Sequence, residues 1–581
     1  MKNEKIWRLK PIPPNAHPLA RETGISPLQA RLLINRGISG TDSVSDFLAP
    51  RLSGLMDPLL LKDMDAALDL IIRALENREK ISVYGDYDAD GITSTALLIN
   101  FFKELEIPVS FHIPNRLREG YGLHRRAVEQ MANEGCGLVI TVDCGTANRK
   151  EIEHAMACGM KVVVTDHHQV PKDFDPVCPV VNPHREDSLF PFRELAGVGV
   201  AFFLAVALRA ALRERAYFRN RPEPDLRNFL DLVALGTVAD MVPLLDQNRI
   251  LVNYGLEVLK TSSLPGIRAL QETADMPLAR LTPNDLAFRL APRLNASGRM
   301  GSAERGVRIL TTDDPSVARD LGEALNNMNS RRQGIEQEVL AQIEEMILST
   351  GGLEARRTLV LSGRGWHKGV LGIVASRLVE RYYRPALVIN IQEGMATGSG
   401  RSIDGFNLHE VLVRYGNLFE RFGGHRHAVG FTLEESHVET LSQGLEDAAW
   451  RLLSEEDLIP VIEIDGEVTL QEMTMETLQQ IESLAPFGPG NPEPVFYSPF
   501  LEVLDSRVVG ERHLKLKVGR RGNVHEAIGF GLGDLHPLGG EPIRMVFTPE
   551  INEWQGYKRI QLRIVDLEPV NQNSSKMIRF Q

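Results

Sequence analysis

From about residue 80 the chain alternates short apolar runs with acidic or glycine-containing turns. EKISVYGDYDADG reads as an apolar strand running into an acidic loop, and TSTALLINFFKEL after it has helical spacing. IPVSFHIPNR, GLVITVDCGT and MKVVVTDHHQ repeat the strand-to-loop unit, with helical segments between them. Strands alternating with helices predict an α/β domain on a mostly parallel sheet. An apolar helical stretch follows, from AGVGVAFFLAVALRAAL to NFLDLVALGTVADMVP. Residues 315–348, almost without Gly or Pro, predict one long connector helix. A second α/β pattern begins at TLVLSGRGWHKG and runs to about Arg451. After Leu458, FLEVLDSRVV, HLKLKV, IRMVFTP and RIQLRIVDL are short alternating runs between turn residues, the pattern of a small β-barrel. The expected division is a helical lead-in over 1–75, a parallel-sheet α/β domain over 76–312 and a connector helix over 313–350. A second α/β domain over 351–453, a barrel over 454–569 and a frayed tail over 570–581 complete it.

Composition changes this picture little. With 581 residues, 43% apolar and 24% charged, the chain reads as a multidomain globular protein. No run approaches the roughly 18 apolar residues of a membrane helix, and MKNEKIWRLKPIPPN lacks a signal-peptide core. The four cysteines, Cys136, Cys144, Cys158 and Cys178, form no CxxC pair and have the bland reading of buried thiols in a reducing compartment. The expectation is a cytoplasmic, monomeric protein. The net charge of −12 argues mildly against a nucleic-acid partner, but binding depends on local potential. Arg289, Arg293, Arg299, Arg305 and Arg308 face one acid, Glu304, in their stretch, and residues 507–563 hold ten Lys and Arg against six acids.

The most informative feature is where acids and histidines fall. Asp86, Asp88 and Asp90 follow ISVYG, Asp143 follows GLVITV, and Asp166, His167 and His168 follow MKVVVT. In a parallel sheet these strand ends share one edge, where α/β ligands bind. Alone, DxDxDG is as readily a turn, a cap or a calcium loop, DHH a helix cap, and a single Asp an N-cap. Together they crowd carboxylates that need charge cancelled. Asp oxygens with imidazoles suit manganese or magnesium, and two ions sharing an Asp would support hydrolysis of a phosphate ester.

DYDADG (86–91), VDCGT (142–146) and TDHHQ (165–169) resemble successive motifs of the DHH phosphoesterase superfamily, and LGTVADMVPL resembles a fourth. GRSIDGFNL (400–408) and GGHRHAVGF (423–431) are similar to its accessory domain. PNRLREGYGL (114–123), LAPRLNASGRMG (290–301), GWHKGVLGIVASRL (365–378) and LAPFGPGNPEPVF (484–496) resemble RecJ exonucleases in particular. The resemblance, over roughly 20–567, implies 5′→3′ release of nucleotides from single-stranded DNA in repair and recombination. It implies Asp88, Asp90, Asp143, His167 and Asp240 as ligands of two divalent ions, with Asp143 bridging, Asp86 a partial ligand and His168 facing the substrate phosphate. Some superfamily members carry a ligand His four residues before the aspartates; this chain has Tyr84, which bears on how fully the second ion is held before substrate arrives.

Several residues are candidates to hold DNA. Arg293, Asn295, Ser297 and Arg299 lie in PRLNASGR, read as a polar loop, against the bland reading of solvated arginines. Arg401, Ser402, His425 and His427 sit in segments read as glycine-rich loops that let backbone approach a phosphate. The barrel resembles an oligonucleotide-binding fold. His513, Lys515 and Lys517 share one strand face there, and Trp554, Tyr557, Lys558 and Arg559 form an aromatic–basic cluster, although both aromatics could equally be core or turn residues. Trp366 and His367 fit either packing or a substrate path. Two other readings are a small-substrate phosphoesterase of the same superfamily, acting on dinucleotides or polyphosphate, and a silent DNA-binding scaffold. The barrel argues against the first and the retained acids against the second. The family's role in repair suggests a single-stranded-DNA-binding protein or a helicase as the partner that supplies the strand.

Overall fold

The computed structural model describes residues 5–116, 118–276, 281–349, 352–353, 356–539, 542–554, 557–570 and 578–580, with backbone alone at Trp554 and at 578–580. The chain enters through a short strand β1 (Ile6–Leu9), and three helices over 16–48 bury Leu19, Leu32, Leu33 and Phe47 in the same core as the C-terminal barrel. The expected lead-in is therefore split: residues 6–48 join the barrel end, whereas the helix Met64–Glu76 packs its apolar face into the catalytic core.

The catalytic sheet is wholly parallel. Strands β2 (Lys80–Tyr84), β3 (Val109–His112), β4 (Cys136–Val142), β5 (Lys161–Thr165) and β6 (Val180–Val181) lie in the order β3-β2-β4-β5-β6. Helices cover both faces, which is why β2, β4 and β5 are near-continuous Val/Ile runs rather than alternating ones. Order reverses at β2, whose neighbours are β3 and β4, so a crevice opens at the C-terminal ends of β2 and β4. The helix Leu230–Ala239, apolar on nearly all sides, is buried beneath that edge.

The connector is one helix, Pro315–Ser349, of 35 residues. Its buried stripe, Ala318, Gly322, Leu325, Asn329, Arg332, Glu336, Val339, Ile343 and Ile347, recurs every three or four residues. It packs first on helices Pro265–Thr273 and Ala291–Met300, then on Leu371–Tyr382. The accessory domain carries β7 (Leu359–Arg364), β8 (Ala386–Gln392), β9 (Met395–Arg401), β10 (Phe419–His425) and β11 (Ala428–Glu434) in the order β10-β11-β9-β8-β7.

Beyond it, β12 (Val461–Ile464) and β13 (Gly466–Glu467) lead to β14 (Phe496–Val509), β15 (His513–Arg520), β16 (Asn523–Gly529), β17 (Ile543–Trp554) and β18 (Tyr557–Pro569). Pairing runs β14-β15-β16-β18-β17, and β14 pairs with β17 to close a five-stranded barrel. The tail does not simply fray, because β19 (Ile578–Phe580) and β12 both pair with β1 in parallel.

Two segments read as loops are regular. PRLNASGR belongs to the helix Ala291–Met300, which starts after a π-helical turn at Leu286–Leu290 with proline in its first turn. GGHRHAVG is the β10–β11 hairpin, with Gly423 opposite Gly430. Among the described residues no helix is long and apolar enough to cross a membrane.

Candidate functional site

Each acid is held by a backbone device at the sheet edge. After β2, Asp88 caps the helix Ala89–Glu104, its Oδ1 accepting from Asp90 N (3.0 Å) and Gly91 N (3.1 Å). Gly91 is required, since a Cβ there would stand 2.5 Å from Asp86 O. Asp90 accepts from Gly197 N (2.6 Å) and Val198 N (2.8 Å), placing its carboxylate at the N-terminus of the helix Gly197–Glu214. Asp143 follows β4 with φ 60, and a Cβ on Gly197 would meet its Oδ1 at 2.7 Å. Asp240 is the C-cap of Leu230–Ala239, and His167 lies past the end of β5.

These side chains converge. His167 Nε2 is 3.1 Å from Asp143 Oδ1, 3.6 Å from Asp240 Oδ2 and 3.8 Å from Asp90 Oδ2. Three overlapping groups have donor atoms within 4.8 Å of one another: Asp90, His167 and Asp240; Asp86, Asp88 and Asp143; and Asp143, His167 and His168. Asp143 and His167 each belong to two.

Charge is costly here. Burial, then the nearby Asp88, pushes Asp86 well above the ordinary carboxylate range and Asp90 up to about 7. Burial, then Asp90, raises Asp143 and Asp240 in the same direction. Burial with His168 lowers His167 to about 4. Asp86 Oδ1, Asp143 Oδ1 and His167 Nε2 are buried without a hydrogen bond among the described residues, since the 3.1 Å approach of the last two lacks hydrogen-bond geometry. Each such orphan costs about 1–3 kcal/mol. An oxygen-rich donor set with imidazole is what hard divalent cations such as Mn2+ or Mg2+ take, so the residues fit the metals inferred from sequence.

His168 is a different case. Burial opposes its charge, but Asp166 Oδ1, 2.8 Å from Nδ1, outweighs this and raises it to about 9. Tyr121 Oη also lies 3.0 Å from that nitrogen. Asp166 in turn accepts from the backbone of Thr146, His167 and His168 and is held below the ordinary range: burial opposes this, and His168 and these bonds prevail. Sequence reasoning missed Tyr121 and this role of Asp166, although both lie inside quoted motifs.

A cleft of about 510 Å³ runs between the catalytic and accessory domains, lined by Arg116, Arg299, Arg401, Ser399, Lys368 and Tyr87 among others. Arg299 is lowered to about 9 by burial and by Arg116, Arg332 and Arg401, so these guanidinium groups repel one another around a space with few acids. Arg116, which the sequence did not single out, stands over the Tyr87 ring at 4.9 Å.

The other candidates separate. Arg293 is spent on Asn326 Oδ1, Arg289 O and Thr273 O, and Ser297 is fully buried on Leu294 O. Asn295 accepts from Ala89 N at 2.9 Å and so braces the aspartate loop. Ser402 donates to Phe406 O, while His425 and His427 sit at the tip of the β10–β11 hairpin, His425 lowered by burial and by Arg401. Lys515 pairs with Glu526 (2.9 Å) beside a barrel groove that includes Asn552, Tyr557 and Arg559. Lys517 is exposed between Asp505 and Glu526. The side chain of Trp554 lies outside the described residues. Trp366 is packing: it is buried and donates to Gln342 Oε1. Tyr84 is buried too, donating to Gly122 O and stacked on His112.

Residues 80–237 match the DHH family N-terminal domain, 356–451 the DHHA1 domain and 464–566 the RecJ OB domain. The single-stranded-DNA-specific exonuclease RecJ of Dickeya dadantii is 38% identical over 94% of this chain and 96% of its own length. That of Bacillus subtilis is 37% identical over 96% of this chain and 70% of its own. The crystal structure of RecJ in complex with Mn2+ from Thermus thermophilus superposes with a TM-score of 0.84 at 31% identity, covering 98% of this chain and 80% of that one. Identity at this level over nearly the full length, with all three domains in order, means that the chain belongs to the RecJ family.

Proposed function

We propose that the chain is a metal-dependent exonuclease that shortens single-stranded DNA from its 5′ end, acting in repair and recombination. The observation that carries this reading is the set of buried metal-donor atoms without hydrogen bonds, Asp86 Oδ1, Asp143 Oδ1 and His167 Nε2, opening beside a cleft lined by five arginines, Arg116, Arg299 and Arg401 among them. Asp86, Asp88, Asp90, Asp143, His167 and Asp240 are the residues that would hold two divalent ions, Mn2+ or Mg2+, with Asp143 the acid placed to serve both. When bound, the ions supply the Lewis acidity that phosphodiester hydrolysis needs at neutral pH. His168, protonated at neutral pH and oriented by Asp166 and Tyr121, holds a proton toward the scissile phosphate. Arg299, Arg401 and Arg116 take the phosphates of the strand end, since planar guanidinium groups bind phosphate oxygens in pairs. His425 and His427 border that end. Lys515, Lys517 and Trp554 of the barrel track the strand behind it. Arg293, Asn295, Ser297 and Ser402 support these elements through their intramolecular bonds.

The chain acts as a cytoplasmic monomer on strands exposed by a helicase or covered by a single-stranded-DNA-binding protein. The test is digestion of one oligonucleotide labelled at either end. A 5′ label should leave at once as a mononucleotide and a 3′ label last, with duplex resistant. The reverse order, or cleavage of duplex alone, refutes the reading.

A further inference from the structure

The motif LAPFGPGNPEPVF (484–496) supplies no residue to the donor groups or the cleft described above. It forms a closed turn instead. Gly488 and Asn491 exchange backbone hydrogen bonds of 2.9 and 3.0 Å. Asn491 is fully buried; its Nδ2 donates to Leu484 O and Pro486 O, and its Oδ1 accepts from Arg36 Nε at 2.7 Å.

The outer edge of this turn presses on residues 243–245. Leu244 N donates to Pro489 O at 2.7 Å. A Cβ on Gly488 would stand 2.7 Å from Leu244 Cδ1, and one on Gly490, whose φ is 74, would stand 3.0 Å from Pro243 Cβ. Arg249 ties the start of the motif to the same region, donating to Ala485 O at 2.7 Å and to Phe47 O at 2.8 Å.

Pro243 lies three residues after Asp240. Between them Met241 has φ 62 and is 70% exposed, so its own side chain does little to hold a conformation that non-glycine residues avoid. Such a conformation persists only where the surroundings enforce it. Asp240 N and Met241 N donate back to Gly236 O (2.9 Å) and Val238 O (3.3 Å) at the helix end; beyond it the anchors are Pro489 O on Leu244 N and Asn248 Nδ2 on Pro243 O, at 3.0 Å.

We infer that the Gly488–Asn491 turn is a positioning element for Asp240. This rests on the reading of Asp240 as a metal ligand. The barrel module thereby sets the donor group of Asp90, His167 and Asp240 through Asp240, while Asp86, Asp88 and Asp143 are held by the sheet edge and by helices of the same domain.

The test is Mn2+ binding to the full chain without DNA, counted by electron paramagnetic resonance of free Mn2+, in wild type, Gly490→Ala, Asn491→Ala and Gly522→Ala. Gly522 is the control: it has φ 85, as unfavourable for alanine, but open space around its Cβ. Loss of a group that orients a ligand lowers metal affinity roughly 10- to 100-fold. In Gly490→Ala and Asn491→Ala one of the two ions should weaken by about tenfold or more while the other keeps its affinity. Gly522→Ala should bind both as wild type does. Turnover of the first two variants should recover at saturating Mn2+ with an unchanged KM for DNA. Folded Gly490→Ala and Asn491→Ala that bind both ions normally, or lose both equally, would overturn the inference. Failure of the wild type to bind Mn2+ would instead overturn the reading of the metal centre.

Discussion

Replacing Asp90 by asparagine should flatten the pH dependence of the metal-free protein. Asp90 is buried, and burial with Asp88 raises it from 3.8 to about 7. The folded value lies above the unfolded one, so the associated stability is present below about pH 4 and is lost as pH rises through 7. At 1.36 kcal/mol per pH unit, the roughly three-unit difference costs about 4 kcal/mol at pH 8 and about 2 kcal/mol at pH 5. Asparagine carries no charge and removes that cost. It can accept only one of the N–H bonds from Gly197 and Val198, and the loss of the other costs about 1–3 kcal/mol. In a chelator, Asp90→Asn should therefore be about 2 kcal/mol more stable than wild type at pH 8 and about equal at pH 5. Added Mn2+ should reverse the order at pH 8, because binding to the folded state stabilises only the chain that keeps all its ligands. Urea unfolding followed by far-UV circular dichroism at pH 5, 6, 7 and 8 reads this. A constant offset between variant and wild type across that range would show that Asp90 does not titrate in this window.

Asp166→Asn removes the carboxylate that raises His168, so the alkaline limb of the pH–rate profile should move down from about 9 toward 6.5; an unmoved limb would separate His168 from proton transfer. Arg299→Ala should weaken binding to a 5′-phosphorylated single strand and lower the slope of log affinity against log salt by about 1, whereas the same change at Arg293, already bonded within the protein, should leave that slope alone. Asn295→Ala strips the acceptor from Ala89 N at the start of the aspartate loop; a loss of about 1–3 kcal/mol of stability is expected, read by thermal melts.

The site was legible where its signal is local. Asp86, Asp88, Asp90, Asp143, His167 and His168 each follow a run of apolar residues long enough to mark a buried strand, and parallel order puts those ends on one edge. PRLNASGR was misread because Pro, Asn, Ser and Gly all argue against helix. Tertiary contact overrides them, with Asn295 on Ala89 N and Gly298 packed so close that a Cβ would stand 2.4 Å from Tyr87 O. The β10–β11 hairpin was hidden for a related reason: its glycines argue against strand, yet Gly424, with φ 141, is needed where a Cβ would stand 2.2 Å from Ala428 O. The sheet joining β1, β12 and β19 unites segments hundreds of residues apart, and no periodicity in any one of them announces a partner. Arg116 and Arg118 entered the cleft unnoticed because PNRLREGYGL does not show which surface its arginines face.

If the acids and histidine at the β2, β4 and β5 strand ends, with Asp240, form one two-metal centre, manganese should occupy it as a pair. Anomalous diffraction from crystals grown with Mn2+, recorded at the manganese edge, tests it directly. Two peaks should flank the Asp143 carboxylate, one within reach of Asp90, His167 and Asp240 and one beside Asp86 and Asp88, with both lost in Asp143→Ala. Manganese bound elsewhere, or peaks that survive the loss of Asp143, would contradict it.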